Sequence, residues 1–130
     1  MFKFSGTRPS NLGVSNGQFN APVPDSPNCV SSQAPASDRE HYIAPLAIAG
    51  SEAIAKLKTH IQALERTAII EATDNYLYAE FTTKLMGYVD DVEFYADGSG
   101  SVQVRSASRL GKSDLGLNRQ RIEAIRSALA

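Results

Sequence analysis

The run Arg105-Ser106-Ala107-Ser108-Arg109 offers chemistry most directly. On an extended strand Arg105, Ala107 and Arg109 point to one side, and Ser106 and Ser108 to the other. Two guanidiniums aligned in this way can clamp a carboxylate or a phosphate, since each presents a planar donor fork. The competing reading is neutralisation within the fold, because Asp90, Asp91, Glu93 and Asp114 match the arginines in number and position. Asp90-Asp91 can itself be read as a carboxylate pair for a divalent cation or for acid–base work. Adjacent strand residues face opposite ways, however, and converge only if the backbone bends, which Gly87 would allow. A hard cation also wants more oxygen ligands, and Asp114 is the one obvious recruit, so no metal is expected.

Cys29, the single cysteine, lies in the turn-forming run Pro24-Asp25-Ser26-Pro27-Asn28-Cys29-Val30-Ser31-Ser32. A nucleophilic cysteine needs a base or a cation beside it, and His41 is the nearest histidine in sequence. Beside Val30, a small buried apolar role is the simpler reading. His60 falls off the apolar stripe of its helix and reads as a surface residue. With Asn118 from the run Asp114-Leu115-Gly116-Leu117-Asn118-Arg119, the candidate binding residues are Cys29, Asp90, Asp91, Arg105, Ser106, Ser108, Arg109, Asp114 and Asn118. No catalytic residue is assigned.

These groups must be positioned by one domain, since a chain of 130 residues can bury a single core without disulfides or metal. One cysteine excludes an internal disulfide and a cysteine-rich zinc site, and it points to a reducing compartment. A net charge of −1 sets up no global field toward nucleic acid or an anionic membrane. Locally the balance is uneven, with seven acids and one Lys over 71–97 against six Lys/Arg and two acids over 103–130. The two segments should attract each other. No window approaches the ~20 apolar residues of a membrane span, and Met1 to Gly6 lacks the apolar core of a secretory signal, so a cytoplasmic location is expected. The tyrosines and phenylalanines sit mainly in the acidic half, which disfavours nucleic acid. Gly98 and Gly100 precede no helix and make no phosphate loop, and no cofactor is implied.

Residues 1–50 are rich in Pro, Gly and Ser yet carry Leu12, Val14, Phe19, Val30, Tyr42, Ile43 and Leu46. An ordered coil wrapped over the domain is expected, with a mobile tail as the alternative. Over 51–130 the pattern predicts a core in the order α-β-β-β-β-α. Ser51 reads as the cap of a helix over 51–64 whose stripe is Ile54, Leu57, Ile61 and Leu64. Strands follow over 67–72, 76–84, 91–96 and 101–108, with the turn Asp97-Gly98-Ser99-Gly100 between the last two. If Phe94 faces Val104 and Val92 faces Ser106, Glu93 and Arg105 become cross-strand partners, whereas a two-residue slip would bring Asp91 to Arg105. Asn118 reads as the cap of a last helix, with Ile122, Ile125 and Leu129 inward and Glu123 paired to Arg119. The fold class is α+β: two layers, a four-stranded antiparallel sheet with two helices on one face and an N-terminal ordered coil.

Four motifs in this order, Ser26-Pro27-Asn28-Cys29-Val30-Ser31-Ser32, Asp90-Asp91-Val92-Glu93-Phe94, Arg105-Ser106-Ala107-Ser108-Arg109 and Ser113-Asp114-Leu115-Gly116-Leu117-Asn118-Arg119, resemble the domain of unknown function family 1499. The likeness covers residues 8–128, and Phe2 to Gln18 with Ser31-Ser32-Gln33 is most similar to its cyanobacterial branch. It implies no established reaction. It does imply that the motifs form a shared polar site, with Cys29 near Arg105, Arg109, Asp114 and Asn118. Many relatives carry a second cysteine where this chain has Ala21-Pro22-Val23-Pro24, which argues against a redox role here.

The leading expectation is a non-catalytic binding or scaffolding domain, whose cluster recognises a small anionic ligand or a partner, or ties the coil onto the sheet. The alternatives are a hydrolase- or transferase-like enzyme using Cys29 or Asp90/Asp91 with Arg105 and Arg109, and an assembly or stability factor binding another protein through its aromatic strands. The oligomeric state is open.

Overall fold

The computed structural model describes residues 6–84, 87–111 and 116–130. Its element order is β1 (Val14–Ser15), β2 (Gln18–Phe19), β3 (Cys29–Ser31), α1 (Ala53–Gln62), β4 (Thr67–Ala72), β5 (Tyr76–Thr82), β6 (Val89–Ala96), β7 (Val102–Ser108) and α2 (Leu117–Ala128). The α+β class stands, but the sheet has five strands rather than four, antiparallel in the order β3-β7-β6-β5-β4. The added strand comes from the coil: Cys29, Val30 and Ser31 pair with Ala107, Ser106 and Arg105 at the open edge of β7. Three residues among prolines and serines carry too little β-pattern to announce a strand. The neighbouring edge supplies the hydrogen bonds that local propensity does not.

Alternation along β5, β6 and β7 builds the two faces. Leu77, Ala79, Phe81, Val92, Phe94 and Val104 turn to one side and join Ile54, Leu57 and Ile61 of α1 and Ile122 and Ile125 of α2 in one core. Both helices therefore cover the same face. Each fully buried Leu, Ile or Phe there stabilises by roughly 1.5–3 kcal/mol relative to exposure. The β6–β7 register has Phe94 opposite Val104, Val92 opposite Ser106 and Glu93 opposite Arg105, the first of the two alignments that the pattern left open. The hairpin turn fixes it: Asp97 accepts from the Ser99 amide and the Gln103 amide group, while Gly98 and Gly100 take left-handed φ of 84° and 92°.

Helix boundaries differ from expectation. α1 starts at Ala53 with no side-chain cap, and its stripe ends at Ile61, leaving Leu64 38% exposed. The Thr67 hydroxyl takes up the carbonyls of Ile61 and Leu64 beyond the last turn, which closes the helix early. Asn118 does not cap α2. Gly116, at φ 81°, occupies that position, and Asn118 lies one residue inside the helix, fully buried. Glu123 pairs with Arg126 instead of Arg119, whose guanidinium donates to the carbonyls of Arg39, Glu40 and Tyr42. Opposite the helices the other sheet face meets the N-terminal coil, where β1 and β2 form a hairpin around Asn16 and Gly17, both at positive φ as a tight two-residue turn requires.

Candidate functional site

Alternation on β6 and β7 divides the candidate residues between the two faces of the sheet. Asp90, Ser106 and Ser108 face the helices, whereas Cys29, Asp91, Arg105 and Arg109 face the coil. Asp90 and Asp91 thus diverge, as strand geometry requires. Asp114 lies outside the described residues.

On the helix side, α2 supplies Asn118 and Arg121, one turn apart. Arg121 donates to Asp90 at 2.7 Å and to the Asn118 carbonyl oxygen at 2.7 Å, and its guanidinium stacks 4.9 Å from the Phe81 ring centre. The Ser106 hydroxyl donates to that same Asn118 oxygen at 2.6 Å. The Asn118 amide nitrogen donates to the Ser108 hydroxyl at 3.0 Å and to the Asn28 backbone carbonyl at 3.2 Å. One side chain therefore ties α2, β7 and the residue preceding β3 together. Asp90 is 1% exposed, and a carboxylate so deep persists only when a cation and hydrogen bonds compensate its desolvation.

On the coil side Arg109 lays its fork on Asp91, with Nε on one carboxylate oxygen at 2.9 Å and Nη2 on the other at 2.8 Å. The same Nη2 reaches Glu80, which also accepts from Arg8 at 2.6 Å, and Tyr78 donates its hydroxyl to Asp91. Glu80 is held below the usual carboxylate range by its hydrogen bond to Arg8, with Arg109 adding to the effect against partial burial. Burial pushes the Tyr78 phenol well above its ordinary value, and the Asp91 carboxylate it binds adds to the rise. One row along, Glu93 is fully buried and accepts from the Tyr76 hydroxyl at 2.6 Å and the Gly13 amide at 2.8 Å. Burial raises the Glu93 carboxyl, and these donors with Arg105 offset the shift only in part. Arg105 donates to the Pro22 carbonyl at 2.9 Å, and its Nη1 stands 3.8 Å from Glu93 Oε1, beyond hydrogen-bond reach. Glu93 Oε1 and Arg105 Nε are the buried side-chain polar atoms left without a hydrogen-bond partner among the described residues.

Cys29 lies opposite Ala107 on the coil face, 0% exposed, so it shares that face with Arg105 and Arg109 while Asn118 works behind the sheet. His41 has both ring nitrogens engaged, Nδ1 with Asp38 at 2.7 Å and Nε2 with the Ser26 carbonyl at 2.8 Å. Burial lowers the His41 pKa, but the Ser26 carbonyl and the Asp38 carboxylate outweigh it and hold the imidazole above its ordinary value. It clamps the coil to itself rather than serving the thiol as a base. Among the described residues, no three His, Cys, Asp or Glu side chains converge as metal ligands. No described helix is long and apolar enough to cross a membrane.

Sequence reasoning passed over Arg8, Asn28, Tyr76, Tyr78, Glu80 and Arg121 as site residues. Two signals were available. Strand alternation puts Tyr76, Tyr78 and Glu80 on the face of Asp91 and Glu93, and helical spacing puts Arg121 one turn after Asn118.

Chemically, the arrangement neutralises buried carboxylates and grips backbone. Arg109, one half of the expected anion clamp, already carries two carboxylates, and Arg105 holds a different row. No curated protein and no solved structure matches this chain. The family model described as "Protein of unknown function (DUF1499)" matches residues 21–129, a span that contains all four motifs. The chain therefore belongs to the DUF1499 family.

Proposed function

We propose that this chain is a non-catalytic scaffolding and binding domain, in which the Arg/Asp/Ser motifs lock the N-terminal coil and the last helix onto the sheet. The observation that carries this reading is the Arg109 fork, closed on Asp91 and shared with Glu80 and Tyr78 in a setting where the Arg109 side chain is only 6% exposed. An anion entering there would have to displace Asp91, whose carboxylate is buried against Arg109, and Glu80, which Arg109 shares with Arg8. The buried thiol of Cys29 and the engaged ring of His41 lend no support to nucleophilic chemistry.

Arg109→Ala leaves Asp91 buried beside Glu80 without its counter-charge. Thermal and urea unfolding should show a loss of about 3–5 kcal/mol, and inorganic phosphate should not stabilise the wild type more than the variant. Should Arg109→Ala prove too unstable to purify, Arg109→Lys retains the charge without the fork and should fall between the two. A variant with wild-type stability that had lost a phosphate-induced rise in Tm would replace the lock with a ligand site.

A further inference from the structure

Beyond the lock, a cleft of ≈ 450 Å³ opens between the β1–β2 hairpin and the strand ends of β4, β5 and β6. Its sheet side carries Glu71, Asn75, Tyr76 and Tyr95, and its hairpin side Gly13, Val14 and Asn16. Tyr76 and Tyr95 are direct cross-strand partners, so both side chains lie on the coil face and both line the cleft. The donors of the inner wall are already committed, because the Gly13 amide and the Tyr76 hydroxyl both point at Glu93. No Lys or Arg lines the cleft among the described residues, so an anion would find only neutral donors such as Asn16 and Asn75 and no compensating charge. The exposed Glu71 carboxylate, by contrast, lines the cleft with no hydrogen bond or ion pair among the described residues. Its charge reaches the cleft wall, since it adds to the burial and Glu93 effects that keep the Tyr76 phenol protonated.

We propose that this cleft binds a small organic cation, a protonated amine or guanidinium, with Glu71 as its counter-ion and the Tyr76–Tyr95 pair as its aromatic wall. A carboxylate together with tyrosine side chains is a pairing that recognises ammonium and guanidinium groups through combined charge and cation–π attraction. The volume lies in the range of small-ligand sites. The cation comes either from a free amine or from a Lys or Arg side chain presented by a partner. The site is separate from the Arg109 lock, so its failure would leave the stability prediction for Arg109→Ala untouched.

The test is a titration of the isotope-labelled full chain with putrescine, a capped Gly-Lys-Gly peptide, glucose and inorganic phosphate, following backbone amide shifts. Putrescine or the lysine peptide should move the amides of Gly13, Gly17 and Tyr95, and the response should weaken with added salt. Affinity should fall roughly fivefold in Glu71→Gln and about threefold in Tyr95→Leu. Glu71 is exposed, so an unchanged Tm in Glu71→Gln certifies the fold. Binding of putrescine without the peptide assigns a free amine, and binding of the peptide assigns a presented side chain; both support the site. Silence from every cation, shifts with glucose or phosphate instead, or equal amine affinity in Glu71→Gln would overturn it.

Discussion

Asn118 concentrates the logic of the helix side in one amide, because its oxygen accepts from Ser106 and Arg121 while its nitrogen donates to Ser108 and Asn28. Asn118→Ala removes this shared partner: Arg121 keeps Asp90 and Ser106 and the Asn28 carbonyl keeps the Ser108 amide, so the cost is about 1–3 kcal/mol for each group the change leaves unsatisfied. Chemical denaturation should register a loss larger than truncating an exposed Asn elsewhere, and a neutral result would mean that water replaces the amide. Glu93 gives a residue-scale prediction for pH. Its folded pKa is raised above the ordinary 4.5 by burial, so the folded state holds this proton more tightly than the unfolded one. Its contribution is therefore complete below the ordinary Glu value and is lost as pH rises through the folded value. Glu93→Gln removes that slope, and urea unfolding across the window should show the variant gaining on the wild type as pH rises. Glu80 runs the other way: Arg8 and then Arg109 depress it, so its contribution is present at neutral pH and fades as acid carries the solution through its lowered folded value.

At the scale of elements, α2 behaves as a clamp on the coil as much as a cover for the sheet. Arg119 reaches the carbonyls of Arg39, Glu40 and Tyr42, and Arg126 reaches those of Ala44 and Pro45. Replacing both by Ala should raise hydrogen exchange and proteolytic cutting across residues 39–46 while the amides of β6 keep their protection. Equal loosening of both would make these contacts part of the global core. These elements also separate what sequence reasoning can read from what it cannot. Helical stripes and strand alternation gave both helices and the face that Glu93 and Arg105 share, because each follows from a local period, whereas the β6–β7 register stayed open between Glu93 and Asp91 as the partner of Arg105. β3 escaped because its pairing is imposed by a distant edge, and Asn118 was misread as a cap because Asn suits that position in isolation. Arg119 looked like half of a helix-surface pair with Glu123, yet the adjacent coil carbonyls offered it three acceptors. Long-range partners of this kind leave no spacing in the sequence. For the candidate site, the motif residues were legible as polar and clustered, while their division between two faces followed from alternation once the strands were placed.

Over the whole molecule, the acidic stretch 71–97 and the basic stretch 103–130 meet as ion pairs on both sides of one sheet: Arg121 with Asp90 behind it, Arg109 with Asp91 and Glu80 in front. Charge complementarity thereby joins segments that hydrophobic burial alone would leave free to slide, since removing one partner of a buried pair is far costlier than forming it is favourable. The coil takes part in this architecture through its backbone, by the Gly13 amide on Glu93, the Pro22 carbonyl on Arg105 and the three residues of β3 on β7. Native-state hydrogen exchange on the full chain tests that claim most directly. The lock predicts that the ladder-bonded amides of β3 and the amide of Gly13 open with free energies approaching those of β6 and β7. Free exchange of these amides beside a protected β5–β6–β7 sheet would contradict it.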